Sequence, residues 1–436
     1  MTEVGSRSAE LRKRARSVFA GGVPFMYDLA DEASPVLERG RGSRAWDADG
    51  REWIDYHLGS GPLLLGHCHP EVVAAVRAQV ERGSTFYYLN RPAIELAERI
   101  VEAVPCAEAL KLVSSGTEAT LYALRIARAW TGRSKILKLE GALHGGNDYA
   151  TQSTVPPRRS PYPRSIPDSD GIPAATSAEV LIGEFNDLAG AERIVAEHGP
   201  ELAAIIVEPM QRALTPAPGF LGGLRALATR SGALLVFDEI VTGFRLAWGG
   251  AQERYGVVPD VCTLGKAIGG GYPVAAVAGR RDVMAVTDGR RRGGGSYAWV
   301  SGTLNANPIG ATAGLATLDV LARPGGFARL HEVGERLRRG IEAAGRALGL
   351  PVQAIGDGPV AQVFFAASAP RSHADVLASD AASRRRFSAE LLRRGILVMP
   401  GEKLYLSLAH TDADLEATLA AAAEGLEAMA RDGAVV

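Results

Sequence analysis

Lysine is scarce in this 436-residue chain. Of its 48 basic residues only Lys13, Lys111, Lys135, Lys138, Lys266 and Lys403 are lysines, so any basic surface is built from arginine. Excess charge is missing too: the net charge is −1, which excludes the cationic footprint of a protein that binds nucleic acid or an anionic membrane. Cysteine is limited to Cys68, Cys106 and Cys262, an odd and widely spaced set with no CxxC. That excludes a disulfide framework, gives no zinc site or other metal site, and fits a reducing compartment. No apolar run approaches the roughly 20 residues of a membrane span. The opening MTEVGSRSAELRKRARSVFAGG is charged and lacks the apolar core of a secretion signal, so a cytoplasmic location is expected.

With 47% hydrophobic and 22% charged residues, the composition is that of an ordinary globular protein, and the length suggests two or three domains. Residues 8–20 have the pattern of a short amphipathic helix. The stretch 36–55, broken by glycines and an Asp-Gly, reads as a small antiparallel meander. From about 92 to 321 helices and strands alternate, with short strands at 110–113, 135–139, 202–207, 234–237, 261–264 and 274–278. Such alternation predicts an α/β fold with a mostly parallel sheet covered by helices on both faces. Residues 151–173, rich in Pro, Ser, Arg and Asp, read as a long surface loop, either a lid or disordered. After Pro324-Gly325-Gly326 the tail changes to a small α+β unit expected to pack with the meander. The expected organisation is an N-terminal segment 1–70, a large domain 71–322 and a C-terminal small domain 323–436.

The most informative stretch is 234–279. It opens with LLVFD, a buried-strand pattern delivering Asp238 at its C-terminal end, and closes on Lys266, set between the apolar run 261–264 and Ile268 with three glycines. Taken singly, a strand-end aspartate also serves as a helix cap or turn former, and a lysine as a solvated charge. Together they are the pair that pyridoxal phosphate (PLP) chemistry needs. A desolvated lysine of lowered pKa forms the Schiff base with the cofactor aldehyde. A carboxylate keeps the pyridine nitrogen protonated so that the ring withdraws electrons. Ser115-Gly116-Thr117 follows a strand and opens a helix, where N–H groups and hydroxyls can hold a phosphate; the same tripeptide also reads as a plain cap and turn.

In this order, WDADGREWIDY, GHCHPEVVAAV, SSGTEAT, GRSKILKLEGALHG, VEP, FDEIVTGFR, GGAQERYG, TLGKAIGGGYP, SGTLNANP and YLSLAHT make a series. The chain resembles the class III aminotransferases of the fold-type-I PLP enzymes, most closely the glutamate-1-semialdehyde aminomutase group, from Gly21 to about Ala422. The resemblance implies Lys266 as the Schiff-base lysine and Asp238 as the partner of the pyridine nitrogen. It places Ile240 against the ring face and Thr303 on the phosphate of the partner subunit, which makes a homodimer part of the site. Glu208 falls near the cofactor or serves as a cap. His144 is a neighbour of the ring or a hydrogen-bonded core histidine, and Arg245 is structural, close to Asp238.

The departures bear on substrate. Asp28 stands where the aminomutase pattern has a carboxylate-binding arginine. Gly59-Ser60-Gly61-Pro62 lacks the tryptophan that walls the site, Leu143 replaces a ring-stacking tyrosine, and Pro400-Gly401-Glu402-Lys403-Leu404 is a shortened version of a stretch that carries a glutamate. These losses imply a roomier and more apolar pocket. Phe86, Tyr87, Tyr88, Arg91 and Arg212 stand where substrate could sit, with Arg91 or Arg212 as replacement anchors for a carboxylate; each arginine also reads as an ordinary surface charge. The expected activity is transfer of an amino group from an amine or amino acid, apolar, aromatic or a β-amino acid, to a keto acid. The alternatives are an isomerase (an aminomutase or a racemase) and a PLP-binding protein without turnover.

Overall fold

Neighbouring residues on a strand project to opposite faces, so an unbroken apolar run is buried only where both faces of the sheet are covered. In the computed structural model, which describes residues 6–24, 34–156 and 158–433, the large sheet meets that condition. In chain order the strands are β1 (Leu37–Arg41), β2 (Arg44–Asp47), β3 (Glu52–Asp55), β4 (Ala109–Val113), β5 (Lys135–Leu139), β6 (Val180–Gly183), β7 (Leu202–Val207), β8 (Leu234–Glu239), β9 (Val261–Leu264), β10 (Ala275–Gly279), β11 (Val352–Ile355), β12 (Val360–Phe365), β13 (Ile396–Leu397) and β14 (Leu404–Tyr405). Seven of them form the central sheet in the order β4-β10-β9-β8-β7-β5-β6. β10 runs antiparallel to both neighbours; the pairs from β9 to β6 are parallel. Along β8, Leu235 and Phe237 enter one core while Leu234 and Val236 enter another on the opposite face.

The chain ends build a second unit. β1, β2 and β3 form the expected meander, and β13 from the far end of the sequence adds to β3 in parallel. Trp53, Ile54, Phe365, Phe387, Leu391, Ile396, Leu415 and Leu426 share one core there. Leu58, Met210, Leu246, Val360 and Tyr405 make a smaller cluster that ties this unit to the central-sheet region.

The described residues of the 151–173 stretch form no helix or strand, as a loop should, but the loop is partly packed: Gln152, Ser153, Thr154 and Ser160 are buried, and bridges join Gln152 to Pro167 and Arg164 to Leu181 of β6. β6 itself, four buried residues between polar segments, went unseen because so short an apolar run has no period to read. The helix Ala381–Arg393 was hidden by its run of arginines, although Phe387, Leu391 and Leu392 give it a buried side. Residues 25–28, including Asp28 of the expected substrate segment, lie outside the described residues.

Candidate active site

In a mostly parallel sheet the strands deliver their C-terminal ends to one edge, and the loops leaving that edge converge there. Asp238 ends β8, Glu208 follows β7, the Gly141–Gly145 loop follows β5, and the helix Gly116–Thr131 begins just after β4. Together with Lys266, which follows β9, they line a cavity of about 310 Å³.

Lys266 sits in the left-handed backbone region (φ 46°), as do Ser60 (φ 68°) and Arg212 (φ 58°) on the same cavity. Left-handed non-glycine residues are costly, and such strain gathers at functional sites. Lys266 Nζ donates to the Ser60 carbonyl at 2.7 Å. Burial, then the Arg245 and Arg212 cations, push its amine down to about 8 against the pull of Asp238 and Glu208. The lysine is therefore a nucleophile and base within reach of neutral pH.

Asp238 is 4% exposed at the cavity floor. Its Oδ1 accepts from the Thr263 hydroxyl and the Ile240 amide, and Oδ2 is 2.7 Å from His144 Nδ1. His144 lies beneath the cavity, buried, and its Nε2 has no partner among the described residues. Arg245, expected as a structural residue, donates to Val241 O and Gly61 O and acts on Lys266 through its field.

Ser115 caps the Gly116–Thr131 helix, its hydroxyl accepting from the Glu118 amide. The first-turn N–H groups of Gly116 and Thr117 therefore face the cavity, where a helix N-terminus favours an anion. The Thr120 hydroxyl donates to His144 O, and the Gly146 amide donates to the Thr117 hydroxyl, binding this helix to the loop after β5. A Cβ on Gly265 would lie 3.0 Å from Ile240 and one on Gly116 3.2 Å, so the two glycines leave Ile240 its place on the wall. Glu208 lines the cavity and accepts from the Leu143 and Arg212 amides. A carboxylate on the floor, a lysine above it, apolar walls from Ile240 and Leu143 and a phosphate seat at the helix end fit a pyridine ring carrying a phosphate.

Ser60, Ser115, Gly116, Thr117, Leu143, Glu208, Arg212, Asp238, Ile240 and Lys266 thus come together as the sequence suggested. Tyr87, Tyr88 and Arg91 do not line the cavity in this chain: the tyrosines are on the surface, with Tyr87 Oη beside Ser301 Oγ, and Arg91 pairs with Glu95 in solvent. Thr303 is also exposed and off the cavity. The expectation of an apolar pocket that had lost its glutamate is corrected. Glu402 lines the cavity, bound through both carboxylate oxygens to Arg212 at 2.9 and 3.1 Å, with Lys403 beside it. His57, Met399 and Tyr405 complete that side. These residues come from the chain-end unit; the resemblance pointed to Glu402 and Lys403 only as a shortened stretch, and no local pattern announced His57, Met399 or Tyr405.

Residues 28–420 match the aminotransferase class-III family. A glutamate-1-semialdehyde 2,1-aminomutase of Desulforudis audaxviator (strain MP104C) is 43% identical, covering 97% of this chain and 98% of that protein. An omega-transaminase from Sphaerobacter thermophilus superposes with a TM-score of 0.90 at 36% identity, over 98% of this chain and 99% of that one. A transaminase solved with PLP bound has the same TM-score at 30% identity, covering 99% of this chain and all of its own. In sequence, fold and site geometry the chain belongs to the class-III aminotransferases, PLP enzymes of fold type I, and PLP is its cofactor.

Proposed function

We propose that this enzyme is an aminotransferase that moves an amino group from an amino acid or amine to a keto acid at Lys266. The observation carrying this reading is the small side chains on two parts of the cavity wall. Leu143 lines it where the resemblance expects a stacking tyrosine, and Ser60 lines it where the resemblance expects a tryptophan. An aminomutase has to keep its deaminated intermediate in place, whereas a transaminase has to release it; the smaller side chains suit release.

Bound PLP supplies an aldehyde carbon that takes up the amino group and a ring that accepts the electrons freed at the substrate carbon. Asp238 holds a proton on the ring nitrogen, itself fixed by Thr263, His144 and the Ile240 amide. Lys266 leaves the Ser60 carbonyl, and its amine carries the proton from one reacting carbon to the other. Ser115, Gly116 and Thr117 seat the phosphate, and Thr303 from the second protomer of a homodimer completes that seat. Glu208 holds Leu143 and Arg212 at the wall. The charged side made by Arg212, Glu402 and Lys403 supports a donor that carries a carboxylate, with Ile240, Val241 and Met399 as apolar surface for its side chain.

Mutase activity is the second reading, favoured by the 43% identity to the Desulforudis aminomutase. One experiment separates them. Candidate amino acids and amines are added to the holoenzyme without acceptor, while the absorbance of the lysine-linked cofactor is followed. Stoichiometric conversion to pyridoxamine phosphate with release of the keto product is expected. Isomerised product with no release would overturn the aminotransferase reading.

A further inference from the structure

Lys138 and Lys403 are buried where Lys266 is only partly so, and the two are buried differently. Lys138 is 1% exposed, and its Nζ donates to Ala142 O, Ala150 O, Gln152 O and Thr154 Oγ1 at 2.6–3.1 Å. Its charge is enclosed by oxygen. Lys403 is 6% exposed and lines the catalytic cavity, yet its Nζ makes no hydrogen bond or ion pair among the described residues. An amine on a largely buried side chain, with no partner and opening only on the cavity, is costly to hold charged, and a chain that uses so little lysine has no composition-driven reason to put one there.

The other cations near the cavity are committed. Arg212 is tied through Glu402, Arg245 donates to two backbone carbonyls and does not line the cavity, and Lys266 donates to Ser60 O. Lys403 alone faces the cavity with its donors unspent. Resting on the PLP reading of the site, we infer that Lys403 binds the carboxylate of the amino-acid substrate, in place of an arginine anchor.

The groups acting on Lys403 fix how this anchor responds to pH. Burial first, then the Arg212 and Lys266 cations, bring its amine down to about 7 against the opposing pull of Glu402 and Glu208. A carboxylate arriving at Nζ places a negative charge directly on it and favours the ammonium. Binding therefore takes one proton from solvent onto Nζ above pH 7, and affinity for a carboxylate falls about tenfold per pH unit there. His57, on the same cavity, has its pKa lowered by burial and is neutral in that range.

The probe is 3-phenylpropanoate, a carboxylate without an amine to react, with 3-phenylpropanamide as its uncharged match. Both are titrated calorimetrically into the holoenzyme between pH 6 and 9, in two buffers of different ionisation heat. Wild type is expected to bind the carboxylate with uptake of one proton above pH 7. Lys403→Met is expected to bind it at least about tenfold more weakly with no proton uptake, Lys403→Arg to retain binding, and the amide to bind all three alike. Lys403→Gln serves if the methionine variant does not fold. Equal carboxylate affinity and proton uptake in wild type and Lys403→Met would overturn the inference, as would failure of wild type to bind the carboxylate more tightly than the amide. The absorbance of the lysine-linked cofactor is recorded first. Its absence in wild type defeats the PLP reading itself, whereas its presence with unchanged carboxylate binding defeats only the role of Lys403.

Discussion

Lys138 shows what a buried charge does when it is satisfied. It leaves β5 into the core, and burial pulls its amine down to about 8, while four oxygens of the following loop keep it hydrogen-bonded. That loop carries Leu143 and His144 to the cofactor site. Lys138→Met removes the donor and strands the Ala142 and Gln152 carbonyls, while Ala150 O keeps its bond from the Thr154 hydroxyl, and roughly 3–5 kcal/mol of stability should be lost, read as a lower denaturant midpoint. PLP affinity should fall in parallel; a variant that unfolds early yet binds PLP normally would separate the loop from the site. The sequence singled out Lys266 because its glycines and apolar flanks are contiguous. It could not single out Lys138 or Lys403, because the groups that bury them are brought in by loops and by the chain-end unit rather than by neighbours in sequence.

At the scale of elements, legibility followed length and punctuation. The final helix Asp412–Arg431 begins at a Thr411–Asp414 capping box, and the helix Gly116–Thr131 ends on a left-handed glycine, Gly132; both have marks that survive in a bare string. β11 and β6 have none, being four residues each. Between β14 and the final helix lies His410, whose ring stands 4.5 Å from that of Tyr56 and whose Nδ1 accepts from the Ser407 amide. Burial holds its pKa down to about 4. The folded state thus prefers the neutral ring, and the stability this brings is complete above about pH 6.5 and is lost as pH falls towards 4. The loss should reach about 3 kcal/mol for this group alone, given 1.36 kcal/mol per pKa unit. Denaturant midpoints measured from pH 7 to pH 4 should slope downward in wild type, and His410→Asn should flatten that slope; an unchanged slope would show that other groups set the acid limit.

For the whole molecule, the family and the layout of sheet and chain-end unit were readable because long motifs recur in a fixed order. What a single chain lacks is the cover for its exposed apolar surface. Phe86, Tyr87, Tyr88 and Leu89 are 45%, 67%, 84% and 90% exposed, and Tyr87 and Asn90 tie this run to the segment carrying Trp299, Thr303 and Leu304. Contiguous apolar surface of this kind marks an interface. The homodimer expected from Thr303 would cover it, so Leu89→Asp should shift sedimentation towards the monomer and remove activity with it; an active monomer would refute a shared site. The seam between β3 and β13 has a consequence for how the protein is made. Ile54 meets its partner Ile396 only when almost the whole chain has left the ribosome. At about 5–20 residues per second, Trp53 and Ile54 stay uncovered for roughly 20–70 s of translation. The meander emerges first and is finished last, so the newborn chain carries two uncovered apolar side chains at its front end while its central sheet is still being synthesised.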